Sequence, residues 1–217
     1  MSSLGGLLDV RPLRTSAAFR RLWISTSCST LGHQLAVIAV LVQVWDLTDS
    51  SVAVGALGLA QAVPMVVFGL VGGALADVVD RRRLVLATTV GQVFVAAAMA
   101  AQALAGVDSF GLVLALVATQ CAFAGLGAAA RRTLMVALLP DTQLSAGLAL
   151  SNLSFQVAML VGPALGGVVT GVWGPGICYA ADAGSLVIDA YGVLRLPTVR
   201  PSSTRERPGP KAIGRDD

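Results

Sequence analysis

The stretch VAVGALGLAQAVPMVVFGLVGGALADVVDRRRLVLATTVGQVFVAAAMAAQALAG, residues Val52–Gly106, holds two apolar runs on either side of one charged turn. Each run, Val52–Ala76 and Leu84–Gly106, is long enough to cross a hydrocarbon layer about 30 Å thick as a helix, which takes roughly 20 residues. Between them stands ADVVDRRR, residues Ala76–Arg83, two carboxylates followed by three arginines. Charge on this scale belongs at a membrane surface, so the stretch reads as a helical hairpin with its turn at the headgroups. No run shows the roughly ten-residue alternation of a membrane strand.

Working outward, four more apolar runs of spanning character appear: Leu22–Trp45, Phe110–Ala130, Leu144–Trp173 and Ile177–Leu194. The expected fold is an all-α membrane protein of six transmembrane helices, residues 22–195. A cytoplasmic segment, 1–21, is expected before it. A disordered cytoplasmic tail, 196–217, is expected after it, because that stretch is rich in Pro, Arg and Ser and has no apolar period. The first apolar run is longer than the core of a secretory signal and no small-residue cleavage site follows, so it reads as a retained helix. The bulk composition agrees. Of 217 residues, 55% are hydrophobic and 12% charged, with a mean hydropathy of +0.78. A soluble domain carries about 25% charged residues, and half of that cannot cover a water-soluble globule.

The charges also orient the helices. All 15 Lys and Arg fall before the first run, between the second and third, between the fourth and fifth, or at the end of the sixth and beyond. The intervening loops carry Asp46, Asp49 and Asp108 and no cation. By the positive-inside rule both termini are expected in the cytoplasm, which requires an even number of spans. The net charge of +3 therefore reflects membrane loops and not a nucleic-acid surface. Trp23, Trp45 and Trp173 fall at expected helix ends, where an amphipathic ring suits the headgroup layer. Cys28, Cys121 and Cys178 lie singly within apolar runs, and the chain has one His, so no metal or redox cluster is expected. No cofactor-binding loop and no enzyme constellation stands out.

Two motifs carry more than topology. The first is Gly73-Ala-Leu-Ala-Asp77-Val-Val-Asp80-Arg81-Arg82-Arg83, preceded by Gly69, which makes a GxxxG pair with Gly73 and so a face that another helix can approach. The second is Gly162-Pro163-Ala-Leu-Gly166-Gly167 in the fifth run, with GxxxG pairs Gly162/Gly166 and Gly167/Gly171 and a proline able to kink the helix. The first resembles the loop 2–3 signature of the major facilitator superfamily, Gly-x-x-x-Asp-Arg-x-Gly-Arg-Arg/Lys. Gly73, Asp77, Arg81 and Arg82 match, while Val78 stands for the usual Arg and Asp80 for the usual Gly. The second resembles that superfamily's antiporter motif in its fifth helix. Ala17–Trp23, Leu139–Asp141 and the surroundings of Asp182 are similar to the branch of enterobactin and macrolide exporters. The resemblance covers about residues 11–197. It implies a gating role for the first motif and export by exchange, against protons, for the second. One departure stands out: the fourth-helix Arg of proton-coupled exporters is absent from the stretch holding Gln120 and Cys121, which leaves the coupling route open.

Polar side chains within spans are expensive and face a cavity or a partner. Thr26, Thr30 and His33 share a face of the first helix, with Gln34 beside them. Asn152 and Gln156 stand one turn apart in the fifth. Asp182, Ser185 and Asp189 share a face of the sixth. With Gln120, the residues His33, Gln34, Asn152, Gln156 and Asp182 are the candidate substrate or proton path. His33 serves equally as an interhelical hydrogen-bonder, and Asp189 is expected to pair with Arg195. The implied function is efflux of a small molecule, a siderophore or an amphipathic drug. The superfamily fold has two six-helix halves, each built of two three-helix repeats of opposite topology. A six-helix chain is therefore expected to be a truncated or split transporter, to pair with a second half, or to dimerise. The alternative is an inactive remnant or a membrane scaffold.

Overall fold

The computed structural model describes residues 10–195. Seven α-helices account for nearly all of them: α1 (Arg11–Thr15), α2 (Ala17–Thr48), α3 (Ser51–Val78), α4 (Arg81–Leu104), α5 (Phe110–Ala137), α6 (Leu144–Trp173) and α7 (Pro175–Leu194). The six from α2 to α7 are long and apolar enough to cross a membrane. Helix is the form the sequence must take there, because hydrocarbon offers no partner to a backbone N–H or C=O outside the helix's own ladder.

The connections are short, and local chemistry closes them. Ser16 caps α2 by accepting from the backbone N–H of Phe19 at 3.2 Å. Ser109 caps α5 by accepting from Leu112 at 3.4 Å. Asp49, between α2 and α3, adopts a left-handed φ of 46°, a conformation that a short polar side chain tolerates. Gly174 joins α6 to α7 at φ 83°, and Pro175 follows at the first turn of α7, where a missing N–H costs nothing. Pro64 and Pro163 sit inside α3 and α6 without ending either helix.

Helices α2, α7, α4 and α5 form a ring in that order, with α3 laid against α5 and α6 laid against α2. Exchanging α2 with α5, α3 with α6 and α4 with α7 leaves this set of principal contacts unchanged. That is the pairing two inverted three-helix repeats produce, and the two helices with an internal proline, α3 and α6, exchange with one another. Close approaches at glycine hold the ring together. A Cβ on Gly32 of α2 would overlap the Ser185 side chain of α7, and one on Gly192 of α7 would overlap Ser25 of α2. A Cβ on Gly127 of α5 would stand 2.6 Å from Thr88 Oγ1 of α4.

Two apolar clusters fill the ring at its ends. One gathers Val40, Val44, Met99, Val113 and Tyr179, and the other Leu22, Leu84, Val85, Leu134 and Val193. The second lies at the end where Arg81–Arg83 begin α4, hereafter the arginine-bearing end.

Several helix limits differ from the sequence reading. Helix α2 begins at Ala17, five residues before the apolar run read from the sequence. Helix α5 runs seven residues past Ala130 to Ala137, which makes Arg131 and Arg132 helical rather than part of a loop. The Cβ positions of Gly69 and Gly73 point away from every other helix among the described residues. Nothing lies within 4 Å of a Cβ built on either, whereas Gly72 and Gly125 bring α3 onto α5, with a Gly125 Cβ only 2.7 Å from the Met65 carbonyl oxygen. The tail expected over 196–217 lies outside the described residues.

Candidate functional site

Between the two apolar clusters the ring holds an open cavity of about 280 Å³. Its wall is polar where the sequence placed polar residues inside helices: Thr26, Thr30, His33 and Gln34 from α2, Gln92 from α4, Gln120 from α5, Asp182 and Asp189 from α7. A second, smaller space of about 30 Å³ adjoins it on the apolar side, and His33, Gln120 and Asp182 border both. Asp182 is 3% exposed and Gln120 7% exposed. Asp182 Oδ1 and Gln120 Oε1 are buried acceptors with no hydrogen-bond partner. A buried acceptor left unmade costs about 1–3 kcal/mol, more when charged, so this wall is held at a cost and is shaped to receive a donor.

The arginine-bearing side of the cavity closes on a buried ion pair. Arg131 Nη1 donates to Asp189 Oδ2 at 2.6 Å, and Asp189 is fully buried. Ser25 and Thr26 donate their hydroxyls to Asp189 Oδ1 at 3.1 and 3.2 Å. Arg131 Nη2 donates to Thr89 Oγ1 at 2.8 Å. All four ring helices thus join one network: Ser25 and Thr26 of α2 and Arg131 of α5 bond the Asp189 carboxylate of α7, and Thr89 of α4 joins through Arg131. Asp189 was expected to pair with Arg195, but Arg195 instead stacks over the Tyr191 ring at 5.1 Å. The reason is the extension of α5, which carries the Arg131 guanidinium into the ring. The fourth span therefore does hold an inward-facing arginine, 11 residues from Gln120 in sequence, or about 16 Å along the helix.

A second polar cluster, not anticipated, ties the opposite end. Gln43 and Gln102 exchange amide hydrogen bonds at 3.2 and 3.3 Å, and the Tyr179 hydroxyl donates to Gln43 Oε1 at 2.8 Å. Helices α2, α4 and α7 meet there.

The remaining sequence candidates separate into groups. Of the loop 2–3 motif, Asp80 caps α4, accepting from the backbone N–H of Arg82 at 2.9 Å and of Arg83 at 3.2 Å. Arg82 reaches across to the last turn of α7, donating to the carbonyls of Val193 at 3.3 Å and Leu194 at 2.5 Å. A cation at those carbonyls satisfies acceptors the helix leaves open and offsets its negative end. Arg81 is part-buried beside it, and Asp77 lies in the final turn of α3. In the α6 motif, a Cβ on Gly162 would overlap the Gln34 side chain, and one on Gly166 would meet the Leu35 carbonyl oxygen at 3.0 Å. That pair seats α6 on α2. Gly167 and Gly171 face open space, and Pro163 is half-buried. Asn152 and Gln156 are exposed on α6 and do not line the cavity.

The model of the transmembrane secretion effector family of the major facilitator superfamily matches residues 9–207. The chain belongs to that family. Among curated relatives, the enterobactin exporter EntS of Citrobacter koseri is 29% identical over 211 residues, covering 96% of this chain and 50% of that protein. EntS of Escherichia coli O1:K1 is 28% identical with the same coverage. The uncharacterized MFS-type transporter YfiS of Bacillus subtilis is 25% identical over 189 residues, 86% of this chain and 44% of that protein. The chain spans about half the length of the curated relatives it matches. It is a multi-pass membrane protein of a transporter family, and the resemblance carried by the loop 2–3 and fifth-helix motifs agrees with the match.

Proposed function

We propose that this chain forms one six-helix half of an exporter that moves a siderophore or an amphipathic drug across the inner membrane in exchange for protons. The observation that carries the proposal is the pair of unpartnered acceptors, Asp182 and Gln120, on the wall of a cavity inside an apolar bundle. A carboxylate in that setting must be protonated, paired or wet, and a group that changes state between those options can couple a proton to a cargo. His33 and Gln34 complete the polar path on α2. Asn152 and Gln156, exposed on α6, are proposed to meet the path only from the outer side of that helix.

The second half is proposed to lie against α3 and α6. Val66, Leu70, Leu160 and Val168 are among the large apolar side chains exposed there, and both helices carry one of the two prolines. The half is supplied by further chain or by a separate polypeptide, and a second copy of this chain is the other arrangement. The loop 2–3 motif fits a latch at the arginine-bearing end, which the charge distribution assigns to the cytoplasm. There Asp77 is the residue proposed to engage a helix end of the second half.

The test is reconstitution in liposomes with an imposed pH gradient, with and without a second six-helix half. Fluorescent amphipathic dyes and a catecholate siderophore serve as cargo. Gradient-driven movement that needs both halves and is abolished by Asp182→Asn is the expected result. Movement indifferent to Asp182→Asn removes the role given to that carboxylate. No movement of any cargo by the paired halves leaves the membrane-scaffold reading.

A further inference from the structure

On the outer side of the α2–α7 seam, away from the cavity, lies a groove of about 370 Å³ lined by Arg21, Ile24, Ser25, Ile188, Tyr191, Gly192 and Arg195. The cavity and the groove use different faces of the same two helices. Thr26, Thr30 and His33 turn inward from α2 while Arg21 and Ile24 turn outward. Asp182 and Asp189 turn inward from α7 while Ile188, Tyr191 and Arg195 turn outward.

The groove is graded along the membrane normal. Its floor is the contact of Gly192 with Ser25. Helices α2 and α7 run antiparallel, so Arg21, four residues before Ser25, and Arg195, three after Gly192, both lie about one turn nearer the arginine-bearing end. Ile24 stands exposed beside the floor, one residue from Ser25, and Ile188 stands exposed about one turn beyond it, at 53% and 49%. No carboxylate lines the groove, and neither guanidinium forms an ion pair among the described residues. The Tyr191 ring, 56% exposed, stands between the apolar and cationic parts and carries Arg195 over its face.

Two cations at the headgroup level above an apolar track match one kind of occupant: a lipid with a negative headgroup and an acyl chain. We infer that this groove binds an anionic phospholipid, its phosphate between Arg21 and Arg195 and one acyl chain along Ile24 and Ile188. Charge complementarity supplies the headgroup half of the match and the exposed isoleucines supply the other. A free anion uses only the arginines, and a zwitterionic lipid brings its phosphate together with an ammonium that the two guanidinium groups repel. The site also touches the interior: Ser25, at the groove floor, is the residue whose hydroxyl donates to Asp189 on the other side of the seam.

The inference is tested on the full chain in detergent by fluorescence anisotropy of an acyl-labelled phosphatidylglycerol. Unlabelled phosphatidylglycerol, phosphatidylcholine and inorganic phosphate serve as competitors. Phosphatidylglycerol should displace the probe at least tenfold more effectively than phosphatidylcholine, and phosphate should not displace it at matched concentration. In the variant Arg21→Gln/Arg195→Gln binding should weaken roughly thirtyfold, the effect of removing two juxtamembrane cations. Arg132→Gln, an exposed arginine on α5 at the same end, should leave it unchanged. Equal displacement by phosphatidylcholine overturns the inference, as does full displacement by phosphate, which marks an anion site without a lipid track. Wild-type affinity in the double variant overturns it as well. The competition series on the unmodified chain decides the matter even if the double variant does not fold.

Discussion

Replacing Arg131 by methionine isolates the energetics of the buried ion pair. The change keeps an unbranched side chain in α5 and removes the cation paired with Asp189. Of the carboxylate's oxygens, Oδ1 keeps the hydroxyls of Ser25 and Thr26, while Oδ2 loses its hydrogen bond from Arg131 Nη1. Stripping one partner from a buried pair costs roughly 3–5 kcal/mol, because the remaining charge is left without compensation. The Arg131 side chain is 23% exposed and borders the cavity, so water reaches the site and the low end applies, about 3 kcal/mol. The double variant Arg131→Met/Asp189→Leu removes the charge as well. Ser25 and Thr89 then retain the carbonyls of Leu22 and Val85 as acceptors, at 3.1 and 2.8 Å. Its cost should fall within about 1 kcal/mol of wild type, since apolar replacements of a buried pair are near neutral. Reversible unfolding in mixed detergent–SDS micelles, followed by circular dichroism, measures all four corners of the cycle. A single variant within about 1 kcal/mol of wild type, or a double variant no more stable than the single, refutes the reasoning.

Gly162→Val should destabilise the bundle by roughly 1–3 kcal/mol through overlap with Gln34, while Gly167→Val, facing open space, should leave the detergent melting temperature unchanged. Asp80→Ala should cost about 1 kcal/mol by removing the α4 cap, read as faster hydrogen exchange at the Arg82 and Arg83 amides. Tyr179→Phe should cost roughly 0.5–1.5 kcal/mol, and Gln102→Leu more, because it removes both amide bonds to Gln43; the same SDS titration ranks them.

The six spans were legible because hydrocarbon thickness sets a length that few soluble helices satisfy. The loop 2–3 hairpin was legible because charges cannot be placed elsewhere. Arg131 was missed for a related reason. The reading ended the fourth span at the first arginine, whereas a helix whose side chains find partners continues past its apolar part. Nothing local links Arg131 to Asp189, 58 positions away, and the pairing follows only from the ring order. Small-residue spacing shows that a helix has a face free of side chains but not which neighbour takes it. Hence Gly162/Gly166 found α2 while Gly69/Gly73 faced open space and Gly72 took α5. Asn152 and Gln156 illustrate the same limit: their spacing puts them on one face of α6, and only the position of α6 outside the ring shows that this face is turned away from the cavity.

The placement of the polar ties has a mechanical consequence. The ring is tied near one rim by Arg131, Asp189 and the hydroxyls of α2 and α4, which join all four helices, and near the other by Gln43, Gln102 and Tyr179, which join α2, α4 and α7. Among the described residues no hydrogen bond crosses from helix to helix at the level of Asp182 and Gln120. Staves bound at both ends resist splaying and shear, and the hollow between them keeps its shape under load. Such a body moves as a unit, so in the proposed exporter the deformation of a transport cycle would be concentrated at its outer surfaces, above all along α3 and α6 with their internal prolines, and not in the hollow itself.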